Sequence, residues 1–243
     1  MSILNNPIWA ALTTKQAYLA EGDDLARRYP AEVTALAALR EPTARAFESL
    51  ARVSHGDVVA LFCHDPITIP PDWKTIHTSN LVQMICETPK ISPDPNTGLI
   101  TELGAADSNE MIALTKLTNP GPFGKRTQEL GLYLGIRQHG RLAAMAGERQ
   151  RLLGYTEVSA VCTHPDFQGR GYARSLISAL LPKIIARGET PTLHVREDNR
   201  GAIRVYERLG FKTRAVFPFF VLRYEGKPVE KNNATEEIST IEG

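Results

Sequence analysis

The chain has 243 residues, with 28 Lys and Arg against 27 Asp and Glu and a formal net charge of +1. That balance excludes a protein whose main task is to coat nucleic acid or an anionic membrane, since either needs a basic excess. Three scattered cysteines, Cys63, Cys86 and Cys162, exclude a disulfide framework and suit a reducing, cytoplasmic setting.

Met1–Ala10 lacks the charged, apolar and small-residue regions of a signal peptide. Ala31–Arg40 and Thr43–Arg52 are rich in Ala, Leu, Glu and Arg and read as helices, with Pro42 opening the second. Asp57–Cys63 and Thr75–Glu87 read as strands between proline-rich turns. The longest apolar stretches, Val58–Cys63 and Ala215–Leu222, fall far short of the ~20 residues that cross a bilayer. Ser92–Gly98, with two prolines, an Asn and a Gly, reads as a linker. The expected organisation is therefore an accessory α+β domain, or a degenerate copy of the fold that follows it, over 1–95, a second domain over 98–225 and a polar, flexible tail over 226–243.

Beyond the linker the pattern sharpens. Leu99–Ala105 reads as a strand and Asp107–Leu117 as a helix capped by Asp107 or Ser108. Gly131–Arg137 and Leu142–Glu148 flank Gln138-His139-Gly140 and predict a hairpin. Thr156–Thr163 is a further strand. Tyr172–Arg187 carries Ala173, Leu176, Ile177, Leu180, Leu181, Ile184 and Ile185 at helical spacing. Pro182 should kink it, and Gly188 ends it. Thr192–Val195 reads as a strand, Asn199–Leu209 as a helix and Ala215–Arg223 as a last strand whose apolar face (Val216–Leu222) offers a pairing surface for a dimer. Strands feeding crossover helices make the fold class α/β (α+β).

The most informative stretch is Val161-Cys162-Thr163-His164-Pro165-Asp166-Phe167-Gln168-Gly169-Arg170-Gly171-Tyr172-Ala173. A strand runs into a turn with two glycines, and the turn opens into the amphipathic helix. The first helical amides have no intrahelical partner and converge under the positive end of the dipole. This is an anion site, most naturally for phosphate, with Arg170 and Arg174 at its rim. A P-loop would need Gly-Lys-Ser/Thr, and a dinucleotide fingerprint would need a small residue where Arg174 stands.

Gln168-Gly169-Arg170-Gly171-Tyr172-Ala173 resembles the Q/R-x-x-G-x-G/A signature of the GCN5-related N-acetyltransferase (GNAT) superfamily. The block Leu193-His194-Val195, Asn199, Ala202 and Tyr206-Glu207-Arg208-Leu209-Gly210-Phe211 is similar to its second motif. In detail the region 98–225 resembles the FR47-like branch. The resemblance implies a mixed, mostly antiparallel twisted sheet flanked by helices, and acetyl-CoA as cosubstrate. It implies that the backbone of Val161, Cys162 and Thr163 holds the pantetheine arm. The pyrophosphate would rest on the amides of Gly169, Arg170, Gly171, Tyr172, Ala173 and Arg174, with Gln168 opening the turn. Asn199 would touch the coenzyme arm, and the Tyr206 hydroxyl would face the thioester sulfur.

The chemistry asks for a base to deprotonate the amine and an acid for the leaving thiolate. Tyr206 is the candidate acid; its alternative is a core tyrosine anchoring its helix. Glu157 is the candidate base, also lining the acceptor site. Strand alternation puts it on one face with Ser159, Val161 and Thr163, and burial should raise its pKa. Its alternative is a structural carboxylate. Cys162 reads as a buried strand cysteine on the opposite face rather than an acyl carrier. Cys162-x-His164 and Cys63-His64 are too sparse for zinc, so no metal is expected. Arg196, Arg200, Arg204 and Arg208 read as a solvated face interleaved with acids. Phe123, in the loop Asn119–Gly124, is a candidate lining residue for the acceptor pocket. The expected function is direct acetyl transfer to a small-molecule or peptide amine by a monomer or homodimer. The alternative is an acyl-CoA-binding regulatory module with vestigial transfer activity.

Overall fold

The computed structural model describes residues 2–227, so all but the first two residues of the tail expected at 226–243 lie outside them. Local signals place most elements. α1 (Pro7–Thr13) opens on a proline after an Asn6 cap, a position where the missing N–H costs nothing. β1 (Glu21–Gly22), β2 (Ala26–Arg28) and β3 (Ala37–Leu39) form a small antiparallel sheet. The helix expected over Ala31–Arg40 does not form. Val33, Leu36, Ala37, Ala38 and Leu39 are all buried, so the segment is covered on both sides, and packing overrides the helix propensity of Ala and Leu. α2 (Ala44–Ser54) starts behind Thr43, whose side chain accepts from the Ala46 amide, and ends at left-handed His55.

β4 (Val58–Phe62), β5 (Trp73–Ile85), β6 (Ile100–Leu103), α3 (Ser108–Thr118), β7 (Tyr133–Gln138) and β8 (Arg141–Leu152) follow. The β7–β8 hairpin turns on His139 and Gly140, both at positive φ, as a two-residue primed turn requires. β9 (Tyr155–Thr163), α4 (Tyr172–Ala186), β10 (Thr190–Arg196), α5 (Arg200–Arg208) and β11 (Lys212–Tyr224) complete the order. α4 continues through Pro182 to Ala186.

β4 to β11 build one eight-stranded sheet in the order β4-β11-β5-β10-β9-β8-β7-β6. Every pair is antiparallel except β9–β10. α4 and α5 bury Leu176, Ile177, Leu180, Leu181 and Tyr206 against one face, and Met111 and Leu114 of α3 cover the other. This is the expected mixed, mostly antiparallel sheet flanked by helices.

The boundary expected between 95 and 98 does not divide this sheet. β5 pairs with β10 through Leu81–Ile85 and with β11 along its length, so a strand that precedes the expected boundary lies between two strands that follow it. The Ser92–Gly98 segment is no free linker either. Asp94 accepts from Ser175 Oγ at 2.8 Å and Arg174 at 3.0 Å, tying it to the start of α4. β11 in turn lies between β4 and β5, with β4 covering it from Phe219 to Arg223, so most of the apolar stretch expected to pair across a dimer is already paired within the sheet.

Removing residues 1–95 should therefore unfold the remainder. A fragment spanning 98–227 is expected to show no cooperative thermal transition by circular dichroism. A folded fragment would contradict the role given to β5.

Candidate active site

β9 and β10 pair only where Tyr155–Glu157 face Thr190–Thr192. Beyond that point the strands part, and the edge of β9 from Val158 to Thr163 has no partner strand on that side. The parting coincides with a bulge. Ala160 is left-handed at φ 51°, and the β8–β9 register slips between Gly147↔Ser159 and Met145↔Cys162. A bulge re-aims the side chains beyond it. Val158 and Val161 pack in one core cluster, while Ala160 and Cys162 pack in another. The alternation expected for Glu157, Ser159, Val161 and Thr163 is thus broken at Ala160.

The fork opens a cleft of about 590 Å³. Val158–Val161 of β9 and His194–Arg196 of β10 line it, with Asn199 and Tyr206 from the second motif. Leu36, Phe62, His77, Ser79 and Leu81 supply another part of the wall, so residues before 95 shape the site directly. Asn199 caps α5 through Oδ1, which accepts from the Ala202 amide at 3.1 Å. Tyr206 is buried, and burial pushes its hydroxyl pKa up.

At the end of β9 the turn has the expected form. Gly169 and Gly171 lie at φ 77° and 78°, angles a Cβ disfavours. Among the described residues the amides from Gly169 to Arg174 donate to no protein acceptor; the Ser175 amide is the first to do so, to the Gly171 carbonyl. Gln168, Gly169, Arg170 and Gly171 are exposed, whereas the Tyr172 ring is buried in the core and leaves only its amide at the turn. Of the two expected rim charges, Arg174 is paired with Asp94 and Arg170 stacks over Phe167 at 5.5 Å. Backbone amides are therefore the donors that this turn leaves free.

Glu157 differs most from expectation. It is fully buried, but its neighbours are not apolar. Arg149 of β8 binds it through Nε and Nη2 at 2.8 and 2.7 Å, and His194 Nδ1 lies 2.7 Å from Oε1. Burial alone would raise its pKa; the Arg149 charge and these hydrogen bonds outweigh that and hold it at about 2. It is permanently ionised at working pH and a poor base. Gln83 extends the chain: its Nε2 donates to the Leu4 carbonyl and reaches His194 Nε2 at 3.0 Å, while its Oε1 accepts from Arg214. His194 thus accepts at Nε2 and donates from Nδ1. The polar run Glu148-Arg149-Gln150-Arg151, closing an otherwise apolar hairpin strand, was the signal in the sequence for Arg149.

Val161 lines the cleft, but Cys162 and Thr163 do not. Cys162 packs with Ala160 in the cluster under α3, as a buried strand cysteine, and burial raises its thiol to about 11. Phe123 sits beside the cleft in a narrow recess with Pro120, Gly121, Pro122, Tyr133 and Arg149, edge-on to Tyr133 at 5.9 Å.

Comparison with known proteins fits this geometry. The FR47-like protein family profile matches residues 133–218. A solved GNAT-family structure from Novosphingobium aromaticivorans is 37% identical, with a TM-score of 0.84 over 92% of this chain and 99% of that one. The chain belongs to the GNAT family. The [ribosomal protein bS18]-alanine N-acetyltransferase of Escherichia coli is 32% identical over 117 residues, which span 48% of this chain and 78% of that protein. An acetyltransferase of Yersinia enterocolitica is 55% identical over 53 residues, 21% of this chain and 37% of its own length. A GCN5-related N-acetyltransferase from Kribbella flavida, 15% identical with a TM-score of 0.61 over 93% of this chain and 97% of that one, shares the fold. Among the described residues no helix is long and apolar enough to cross a membrane.

The Glu157 assignment has a pH signature. Its ordinary value is 4.5 and its folded value about 2, so its stabilisation is fully present above 4.5 and drains away as pH falls towards 2. Glu157→Gln should cost about 3 kcal/mol near neutral pH, and the gap from wild type should shrink below pH 4.5 in denaturant titrations. The kcat/KM pH profile of the variant should keep its wild-type shape. Loss of an ionisation from that profile would restore Glu157 as the base.

Proposed function

We propose that the protein transfers an acetyl group from acetyl-CoA directly to a primary amine. The observation that carries this reading is the alignment of the partnerless edge of β9 with the unpartnered amides of Gly169–Arg174. Together they offer an extended backbone for an amide-bearing arm and a cluster of donors for a pyrophosphate. When bound, acetyl-CoA supplies the thioester carbon that the amine attacks and the thiolate that leaves.

This chain's residues then have separable tasks. The backbone of Val161 in the cleft binds the arm, with the Cys162 and Thr163 backbone continuing the same unpaired edge beyond the cleft towards the turn. Asn199, whose Oδ1 is engaged in the cap, presents Nδ2 to the arm. Tyr206 keeps its proton because burial raises its pKa, and it directs that proton to the sulfur as charge develops there. With Glu157 engaged by Arg149 and His194, water in the cleft takes the proton from the amine. The acceptor is a small-molecule amine or a peptide amine; the Escherichia coli relative is named for an alanine of ribosomal protein bS18.

Tyr206→Phe should lower kcat about 100-fold, with acetyl-CoA affinity held within about twofold. Thiol release and calorimetry read the two quantities separately, and wild-type turnover would remove Tyr206 from the chemistry. Gly171→Val forces a β-branched residue into the left-handed region. It should weaken acetyl-CoA binding about tenfold, corresponding to the ~1–2 kcal/mol cost of that conformation. Unchanged binding would place the coenzyme elsewhere.

A further inference from the structure

We infer that the acceptor is a free amino acid, recognised by its carboxylate at Arg149 and Tyr133; the inference rests on the acetyltransferase reading above. Arg149 is buried, and Glu157 occupies only its Nε–Nη2 side. Nη1 makes no hydrogen bond among the described residues, and it lies where a Cβ on Gly121 would come within 3.9 Å. A guanidinium has five N–H donors in two forks, so one fork is filled by protein and the other faces the acceptor loop. Arg149 is part of the wall of both the cleft and the recess behind that loop.

Tyr133 supplies the second donor. Its side chain is buried, and its hydroxyl has no hydrogen-bond partner, an arrangement that costs free energy unless a partner completes it. The recess around it is closed in this conformation, so the carboxylate reaches the hydroxyl by displacing the loop over 120–123. The ring can lie there only because Gly147 stands opposite on β8; a Cβ at 147 would come within 2.3 Å of it. Ser159 and Ala160 also line both spaces. A carboxylate held at Arg149 therefore keeps an amine on the adjacent carbon beside the bulge, at the mouth of the fork. A charged acceptor group suits two unpartnered donors better than the neutral carbonyl of a peptide, because hydrogen bonds to a carboxylate are the stronger.

The test measures thiol release at saturating acetyl-CoA with each standard L-amino acid, its carboxamide and a dipeptide beginning with the same residue. Carboxamides have the less basic amine and more of the reactive neutral form at neutral pH, so preference for the acid can come only from carboxylate recognition. Wild-type enzyme should favour the best amino acid over its carboxamide and dipeptide by about tenfold or more in kcat/KM. Tyr133→Phe should cut that ratio several-fold with acetyl-CoA affinity unchanged. The double variant Arg149→Gln/Glu157→Gln, which removes both buried charges together, should abolish the preference. Equal or better use of carboxamides or dipeptides, or a ratio unmoved in Tyr133→Phe, overturns the amino-acid assignment and leaves the transferase reading standing. Binding of acetyl-CoA without thiol release on any amine overturns both.

Discussion

A chain of hydrogen bonds crosses five neighbouring strands where the sheet divides, running from Arg149 on β8 through Glu157 on β9, His194 on β10 and Gln83 on β5 to Arg214 on β11. Glu157 pairs with Thr192 at the last point where β9 and β10 touch. The ion pair and the histidine thus pin the two strands at the apex of the fork, and the left-handed Ala160 turns β9 away just beyond it. Taking any one member out would leave a buried charge or donor uncompensated, at a cost of about 3–5 kcal/mol for the ion pair. The cleft follows from this arrangement: strands locked together on one side of a point must diverge on the other if one of them bulges.

The same chain explains why the first 95 residues cannot be an appendage. Gln83 and the Leu4 carbonyl that it reaches belong to that part of the sequence, and Arg214, set at a register slip of β11, also bonds Asn5. A second tie lies in the loop between α3 and β7. Thr127 Oγ1 donates to the Val33 carbonyl, the Arg126 amide donates to the Glu32 carbonyl, and Gly124 lies so close to Glu32 that a Cβ would come within 2.2 Å of its oxygen. The segment misread as a helix, Ala31–Arg40, is the part that packs against this loop. N-terminal residues therefore hold both the apex of the fork and the loop before β7.

The elements from Asp107 to Leu209 were legible because their signals are local: a glycine turn, a hairpin turn, and apolar residues at helical spacing. The glycine turn before α4 was legible for the same reason, since its amides and glycines lie within a few residues of one another. Three things were not. The place of β5 between β10 and β11 depends on pairing over more than a hundred residues, which periodicity does not encode. The break in β9 alternation rests on a non-glycine residue at positive φ, and alanine carries no turn signal. The ionisation of Glu157 depended on Arg149 and His194, which lie eight and thirty-seven positions away. Burial was foreseen correctly; the partners that reverse its effect on the pKa could not be read from one strand. The near-neutral charge is consistent with the proposed anionic cosubstrate, since the unpartnered amides of Gly169–Arg174 can supply a local field without a basic surface.

The most direct test of this account is hydrogen–deuterium exchange with and without saturating acetyl-CoA. The account predicts that protection rises at two separated stretches, the β9 edge over 158–163 and the turn over 169–174, while the apex at Glu157 and His194 stays protected in both states. Protection that appeared elsewhere, or at neither stretch, would contradict the assignment of the fork and the turn as one coenzyme site.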